Sequence, residues 1–352
     1  MTQYIIRRMG RNLIVILLVA LITFLLMHAV PGGPFDTEKA LPQAIIDNLN
    51  ARYHLDEPLP KQFAMYLYDV LIPRFSSTKP GLSLQDDFLI TVKVGDQLWF
   101  KWMNFGPSYT SKSRTVNDIL RGQLPISIQL GLLALLVAMS IGIPLGILAA
   151  LKQNTFWDYF GMGVAIFGVS VPVIIMGPIL IWIFGVSLKL LPPTGWGAKP
   201  PYLLGFLPTN LGWSYWRHAL MPMIALGLAS SALLARLTRA SLLQVVREDY
   251  IRTARAKGLM ERTVITRHAM KNSMIPVITV LGPMFAALVT GTFVTELIFG
   301  IPGMGKYFVT SITNRDYPVI MGTILLYAVI LVMANLFVDI LYGFLDPRIR
   351  YT

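Results

Sequence analysis

Leu124-PISIQLGLLALLVAMSIGIPLGILAA-Leu151 runs without a single Asp, Glu, Lys or Arg. A helix needs about 20 mostly apolar residues to cross a hydrocarbon core of about 30 Å, because each residue rises about 1.5 Å. This stretch exceeds that length. In lipid, backbone polar groups must be satisfied within the segment, so a helix is the economical reading. Working outward, Leu13–Val30, Tyr159–Leu188, His218–Ala235, Ser273–Thr295 and Tyr317–Val338 read the same way. The expectation is an all-α polytopic membrane protein with about six transmembrane helices. Composition agrees: 55% of the 352 residues are hydrophobic and only 14% charged, against roughly 25% charged in soluble domains. Mean hydropathy is +0.60.

The first span has a rival reading, a cleaved signal peptide behind Arg7, Arg8 and Arg11. Its apolar run is longer than such a core, and His28-Ala29-Val30-Pro31 lacks a small-x-small cleavage pattern. Cysteine is absent, which excludes disulfide scaffolds, thiolate metal sites and cysteine catalysis. His28, His54, His218 and His268 show no ligand-like spacing, so no metal site is expected. The net charge of +12 sits in an apolar chain, and no nucleic-acid partner is expected.

Basic residues in short loops orient membrane helices. Residues 236–272 hold nine Lys or Arg against Glu248, Asp249 and Glu261, and the tail Asp346-Pro-Arg348-Ile-Arg350 is also basic. Six spans put these on one side with the N-terminal arginines, which assigns both termini to the cytoplasm. Residues 36–121 carry ten bases and ten acids and become a small extracytoplasmic domain between the first two spans. The division is therefore 1–35 (arm and first span), 36–121, and 122–352 (five spans and a loop at 240–273). Within 36–121, Leu41–Leu55 and Pro58–Leu71 have helical patterns, the second with an aromatic face of Phe63, Tyr66 and Tyr68. Phe88–Val94 and Gln97–Trp102 read as two strands about Gly95-Asp96.

The charged loop reads Arg247-Glu-Asp-Tyr-Ile-Arg-Thr-Ala-Arg-Ala-Lys-Gly258-Leu259, then Val264-Ile-Thr-Arg-His-Ala-Met-Lys-Asn-Ser-Met-Ile-Pro276. A helix is expected to end at Gly258 in a left-handed cap, and a second to run into a span behind Pro276. Taken alone, this is a solvated basic loop between spans.

The loop resembles the coupling loop of ATP-binding-cassette importer permeases, and the chain as a whole resembles the B-type membrane subunit of oligopeptide and dipeptide permeases. The residues that carry this are Tyr4-Ile-Ile-Arg-Arg, Pro31-Gly-Gly-Pro, Tyr53-His-Leu-Asp-Glu-Pro-Leu, Phe105-Gly-Pro-Ser, Gly146-Ile-Leu-Ala-Ala-Leu-Lys-Gln-Asn and Leu191-Pro-Pro-Thr-Gly-Trp. The loop follows, then Glu296-Leu-Ile-Phe-Gly-Ile-Pro-Gly-Met-Gly305, Arg315-Asp-Tyr-Pro and Asp346-Pro-Arg-Ile-Arg. Residues 31–60 and 146–160 are closest to the oligopeptide branch. Two departures stand out. Arg252-Thr253-Ala254 occupies the place of the general Glu-Ala-Ala, and Leu71–Lys101 looks like an insertion.

The resemblance implies a type I importer permease in a bacterial inner membrane. Its partners would be a second homologous permease, two ATPase subunits and an extracytoplasmic peptide-binding protein, with lipid around it. ATP and magnesium would be bound by the ATPases, leaving this chain without cofactor or catalytic residues. By the same analogy Tyr250, Ala254 and Leu259 pack into an ATPase cleft, Arg252, Arg255 and Lys257 engage its rim, and Gly258 sets the bend. Asp249 and Thr253 complete the set. The implied cargo is oligopeptide, with dipeptides, nickel complexes, glutathione or another small solute as alternatives.

Gly300-Ile-Pro-Gly-Met-Gly305-Lys306-Tyr307 nearly spells the phosphate-cradling G-x-x-x-x-G-K-[ST], but Tyr307 replaces the hydroxyl that would ligate magnesium. A tight turn is the better reading. A secondary transporter would be expected to hold acids or polar pairs near the midplane, and the centres of the six spans carry none; Glu296 and Asp339 lie near span ends. A membrane hydrolase would need a base beside a nucleophile, and Ser140, Ser170, Ser230 and Ser231 have no neighbouring His or acid in sequence. Pro144, Pro172, Pro178, Pro222, Pro276 and Pro283 can each kink a helix.

Overall fold

In a computed structural model, the structure describes residues 2–35, 42–79, 83–95, 97–111 and 113–345, with side chains from 6 to 341. Leu41, Asp96 and the Asp346–Arg350 tail, each part of an expectation above, lie outside the described residues. The elements run α1 (Thr2–Ala29), α2 (Gln43–Arg52), α3 (Leu59–Leu71), β1 (Arg74–Ser76), β2 (Ile90–Lys93), β3 (Trp99–Trp102), α4 (Val116–Leu151), α5 (Phe156–Ser170) and α6 (Val173–Leu180). A π-helical stretch, Ile181–Ser187, continues α6. Then come α7 (Trp213–Val245), α8 (Asp249–Ala256), α9 (Glu261–Thr263), a π turn (Val264–Ala269), α10 (Met270–Ser273), α11 (Ile275–Thr290), α12 (Phe293–Ile298), α13 (Gly305–Thr313) and α14 (Tyr317–Leu345).

Among the described residues, five helical stretches are long and apolar enough to cross a membrane: Ile6–Ala29, Val116–Leu151, Trp213–Val245, Ile275–Ile298 and Tyr317–Leu341. The chain is a multi-pass membrane protein. The expected single helix over Tyr159–Leu188 is corrected: α5 and α6 meet at a 97° bend, and the pair supplies a sixth crossing only if it counts as one span. The cause is local. Pro172 lacks an N–H and pushes the preceding residue out of the helical region, and Val171 is extended (φ −96°, ψ 107°). Pro125, Pro144, Pro178, Pro222 and Pro283 stay inside their helices. The expected helix over His218–Ala235 continues ten residues further, to Val245.

The chain forms two compact units. The first holds residues 9–124 and 306–329. Its sheet has three antiparallel strands in the order β1-β3-β2, with Phe75 opposite Phe100 and Phe100 opposite Val92. β1 was not expected from sequence; three residues are too few for a period-2 pattern to show. Trp102 Nε1 donates to the Leu71 carbonyl (3.0 Å), fixing β3 on α3. Lys101, 1% exposed, reaches Asp86 at 2.8 Å, as a buried ammonium must. A chain of rings, Phe63–Phe24–His28–Tyr317–Tyr109–Tyr53, links α3, α1, α14 and the 108–111 loop.

The second unit holds residues 1–8, 125–305 and 330–352. Small residues let its helices touch backbone to backbone. A Cβ on Gly142 would meet the Ser231 carbonyl at 2.5 Å, and one on Gly227 the Ala134 carbonyl at 2.6 Å. These two contacts, one from each helix, seat α4 against α7. Gly168 does the same for α5, where a Cβ would come within 2.7 Å of the Leu228 carbonyl.

Candidate functional site

The loop from Val246 to Met274 folds into a compact helical hairpin. Glu248 is extended (φ −68°, ψ 148°) before α8, and Asp249 lies in its first turn, where negative charge complements the helix dipole. Arg255 lies in the last turn. Gly258 follows at φ +74°, and a Cβ there would meet nothing within 4 Å. The backbone conformation rather than crowding therefore selects glycine, since a left-handed position costs other residues about 1 kcal/mol.

α8 has two faces. Ile251 (0% exposed) and Ala254 (6%) turn inward and join Ala150, Leu242, Val264, Ile265 and Ala269 in one apolar cluster. That cluster seats α8 on the ends of α4 and α7. On the outer face Asp249, Tyr250, Arg252, Thr253, Arg255, Lys257, Gly258 and Leu259 are all exposed. Of the nine residues singled out by sequence, eight share the outer surface and Ala254 faces the chain's own core. Met260, more exposed than Leu259 (76% against 40%), extends the outer surface.

Polar ties make the hairpin one body. Arg255 Nε and Nη2 donate to Glu261 Oε2 (3.1 Å) and Oε1 (2.8 Å), closing the Gly258 bend. This two-pronged hydrogen bonding holds the Glu261 carboxyl below the usual carboxylate range and pushes Arg255 up. Asn272 Nδ2 donates to Tyr250 Oη (2.8 Å), tying α10 to α8. Arg252 reaches Asp249 at 3.4 Å, an exposed pair worth little.

Three further groups escaped the sequence reading. Ile251 holds the hairpin down, and only its spacing to Ala254 hinted at an inward face. Glu261 was counted as loop charge. The third is a buried ion pair: Arg239 Nε and Nη2, on α7, donate to Asp158 Oδ1 and Oδ2, on α5, both at 2.7 Å. Asp158 is 3% exposed and also accepts from the Asn154 N–H (3.0 Å). The partners are 81 residues apart, and no local pattern announces them.

The glycine-rich segment 300–305 is occupied from within. Glu296 Oε1 accepts from Ser127 Oγ and Thr292 Oγ1 (both 2.6 Å), and Oε2 accepts from the Gly305 N–H (2.8 Å). Ser127 Oγ accepts in turn from the Met304 N–H (2.8 Å). A Cβ on Gly303 would overlap the same carboxylate. The amide that a phosphate would seek already holds a carboxylate, so the segment is a turn built around Glu296. Among the described residues no three His, Asp or Glu side chains gather closely enough to hold a metal.

Known proteins similar to this chain include permeases of binding-protein-dependent transport systems. Residues 142–351 match the model of the family described as binding-protein-dependent transport system inner membrane component. Residues 1–84 match the corresponding N-terminal membrane component model. The dipeptide transport system permease protein DppB of Bacillus subtilis (strain 168) is 41% identical over 350 residues, covering 99% of this chain and 98% of that protein. The oligopeptide transport system permease protein OppB of Salmonella typhimurium (strain LT2) is 37% identical over 351 residues, covering all of both. An inward-facing structure of the MetNI methionine ABC transporter aligns at 16% identity and a TM-score of 0.47, covering 65% of this chain and 96% of that one. The chain belongs to the family of inner membrane components of binding-protein-dependent transport systems.

Proposed function

We propose that the chain is the pore-forming permease subunit of an ATP-binding-cassette importer for peptides. The observation that carries the reading is the helical hairpin at 249–273. Its inner face is locked to the ends of α4 and α7, and its outer face presents Tyr250, Arg252, Lys257, Leu259 and Met260 to a partner. Full-length similarity to dipeptide and oligopeptide permeases supports peptide as the cargo; either peptide length is compatible with it.

The complete transporter contains a second homologous permease, two ATPase subunits that bind ATP and magnesium, and an extracytoplasmic binding protein. It sits in a bacterial inner membrane, and the basic loop and both termini face the cytoplasm. Closure of the ATPases on ATP moves each docked α8. A rigid hairpin passes that movement into α4 and α7 because packed elements shift as bodies rather than deform. Ala254 serves from beneath, as part of the seat. Glu296 fills the near-match at 300–305, and ATP hydrolysis is assigned to the partner chains.

Gly258→Val tests the assignment. A β-branched residue at φ +74° is strained, the bend opens, and transport-coupled ATPase activity of the assembled complex falls. Unchanged coupled activity in a complex that still assembles sinks the coupling role of the hairpin.

A further inference from the structure

A cavity of about 220 Å³ lies in the unit formed by residues 9–124 and 306–329, away from the coupling hairpin in sequence and within a different compact unit. Thr110, Ser111, Arg114, Tyr307, Asn314 and Asp316 line it. Asp316 is the one carboxylate there, and its oxygens are taken. Oδ1 accepts from the Tyr109 N–H (3.0 Å), and Oδ2 accepts from the Thr110 N–H (3.2 Å) and from Ser108 Oγ. Ser108 Oγ also accepts from the Ser111 N–H (2.9 Å), and the Ser108 N–H donates to the Arg114 carbonyl (3.1 Å). These bonds hold residues 108–111 and the Arg114 backbone carbonyl in place.

Arg114 Nη1 donates to Tyr307 Oη (2.9 Å). Among the described residues no carboxylate pairs with this arginine. Because Tyr307 Oη accepts, its own O–H is left to donate. Arg114, Tyr307, Thr110 and Ser111 thus line one cavity whose lining acid, Asp316, is already satisfied. A planar guanidinium fork backed by hydroxyl donors matches a carboxylate. A volume of about 220 Å³ admits a carboxylate with one small residue attached.

We propose that this cavity binds the C-terminal carboxylate of the transported peptide. The proposal rests on the peptide-importer reading and deepens it: every linear peptide presents the same terminal carboxylate whatever its sequence, so one arginine gives affinity without sequence preference.

The test is equilibrium dialysis of trialanine, and separately of trialanine amide, against the permease–ATPase complex in nanodiscs without the binding protein. The free acid binds, and the amide binds more weakly. Arg114→Gln weakens the free acid by about tenfold or more, the worth of a charge-assisted hydrogen bond, and abolishes the preference over the amide. Arg114→Lys falls between, keeping charge without the fork. Tyr307→Phe loses part of the preference and guards against a variant that misfolds. Lys93→Gln, which removes the same charge from β2, binds as wild type does. Equal affinity for acid and amide, equal losses for both, or no binding of trialanine by the wild-type complex overturns the proposal. So does normal trialanine binding by Arg114→Gln combined with a raised requirement for binding protein, which assigns the cavity to an acid on that protein. If the complete system imports trialanine while dialysis fails, only this site is wrong. If it imports no peptide at all, the cargo reading falls as well.

Discussion

Asp158→Asn isolates the contact that ties the bent helix pair to α7. The native carboxylate takes two charge-assisted hydrogen bonds from Arg239, both at 2.7 Å, and one from the Asn154 N–H. An asparagine at 158 keeps one acceptor oxygen and turns an N–H₂ toward the guanidinium. One bond is lost outright, and Arg239 is left partly buried without its counter-charge; its side chain is 28% exposed and that of Asp158 5%. Removing one partner of a buried pair costs about 3–5 kcal/mol. The partial exposure of Arg239 places this pair at the lower limit, about 3 kcal/mol, or roughly a hundredfold in a local opening equilibrium. Hydrogen–deuterium exchange on the assembled complex in nanodiscs reads that opening. Amides of 154–160 and 236–245 exchange faster in Asp158→Asn, while those of the sheet do not change. The double variant Asp158→Asn/Arg239→Gln recovers most of the protection, because a buried pair replaced as a whole costs far less than one that is broken. If Asp158→Asn leaves exchange unchanged at both segments, or if the double variant is additive within about 0.5 kcal/mol, the pair does not tie α5 to α7.

Glu296→Ala strands three donors at once, Ser127 Oγ, Thr292 Oγ1 and the Gly305 N–H; at about 1–3 kcal/mol for each unsatisfied group, a marked fall in the thermal stability of the complex is expected in a nanodisc melt. Survival of the wild-type melting temperature would show that the turn stands without the carboxylate. For Glu261, whose folded pKa is depressed by Arg255, the stabilising contribution is present above the unfolded carboxylate value of about 4.3 and is lost as pH falls through the lower folded value. Exchange protection across 249–263 is thus flat from pH 8 to 5 and drops only in stronger acid, whereas Glu261→Gln shows the reduced protection at every pH. A loss of protection between pH 8 and 6 would contradict this assignment.

Much of the site was legible because its signals are local. The left-handed residue at 258 could be read from a glycine placed at the end of a helical pattern, and φ +74° agrees. Ala254, which the resemblance puts in a partner's cleft, is 6% exposed and lies in the chain's own apolar cluster. A small residue on an amphipathic helix can face either way, and the answer depends on Leu242, Val264 and Ala269, which approach α8 only in the folded chain. The near-match at 300–307 needed Glu296 and Ser127 in view before its glycines could be explained, and these lie 169 residues apart in sequence.

The sequence by itself determined that the chain crosses a membrane several times, and roughly where. Transfer of apolar side chains into lipid adds along contiguous residues, so a run without charges needs no knowledge of its neighbours. Tertiary structure alone decided which of several similar prolines breaks a helix, which face of α8 is covered, and that Asp158 finds Arg239. Each of these turns on groups brought together from distant segments, where direction and distance, absent from a linear text, set the energy.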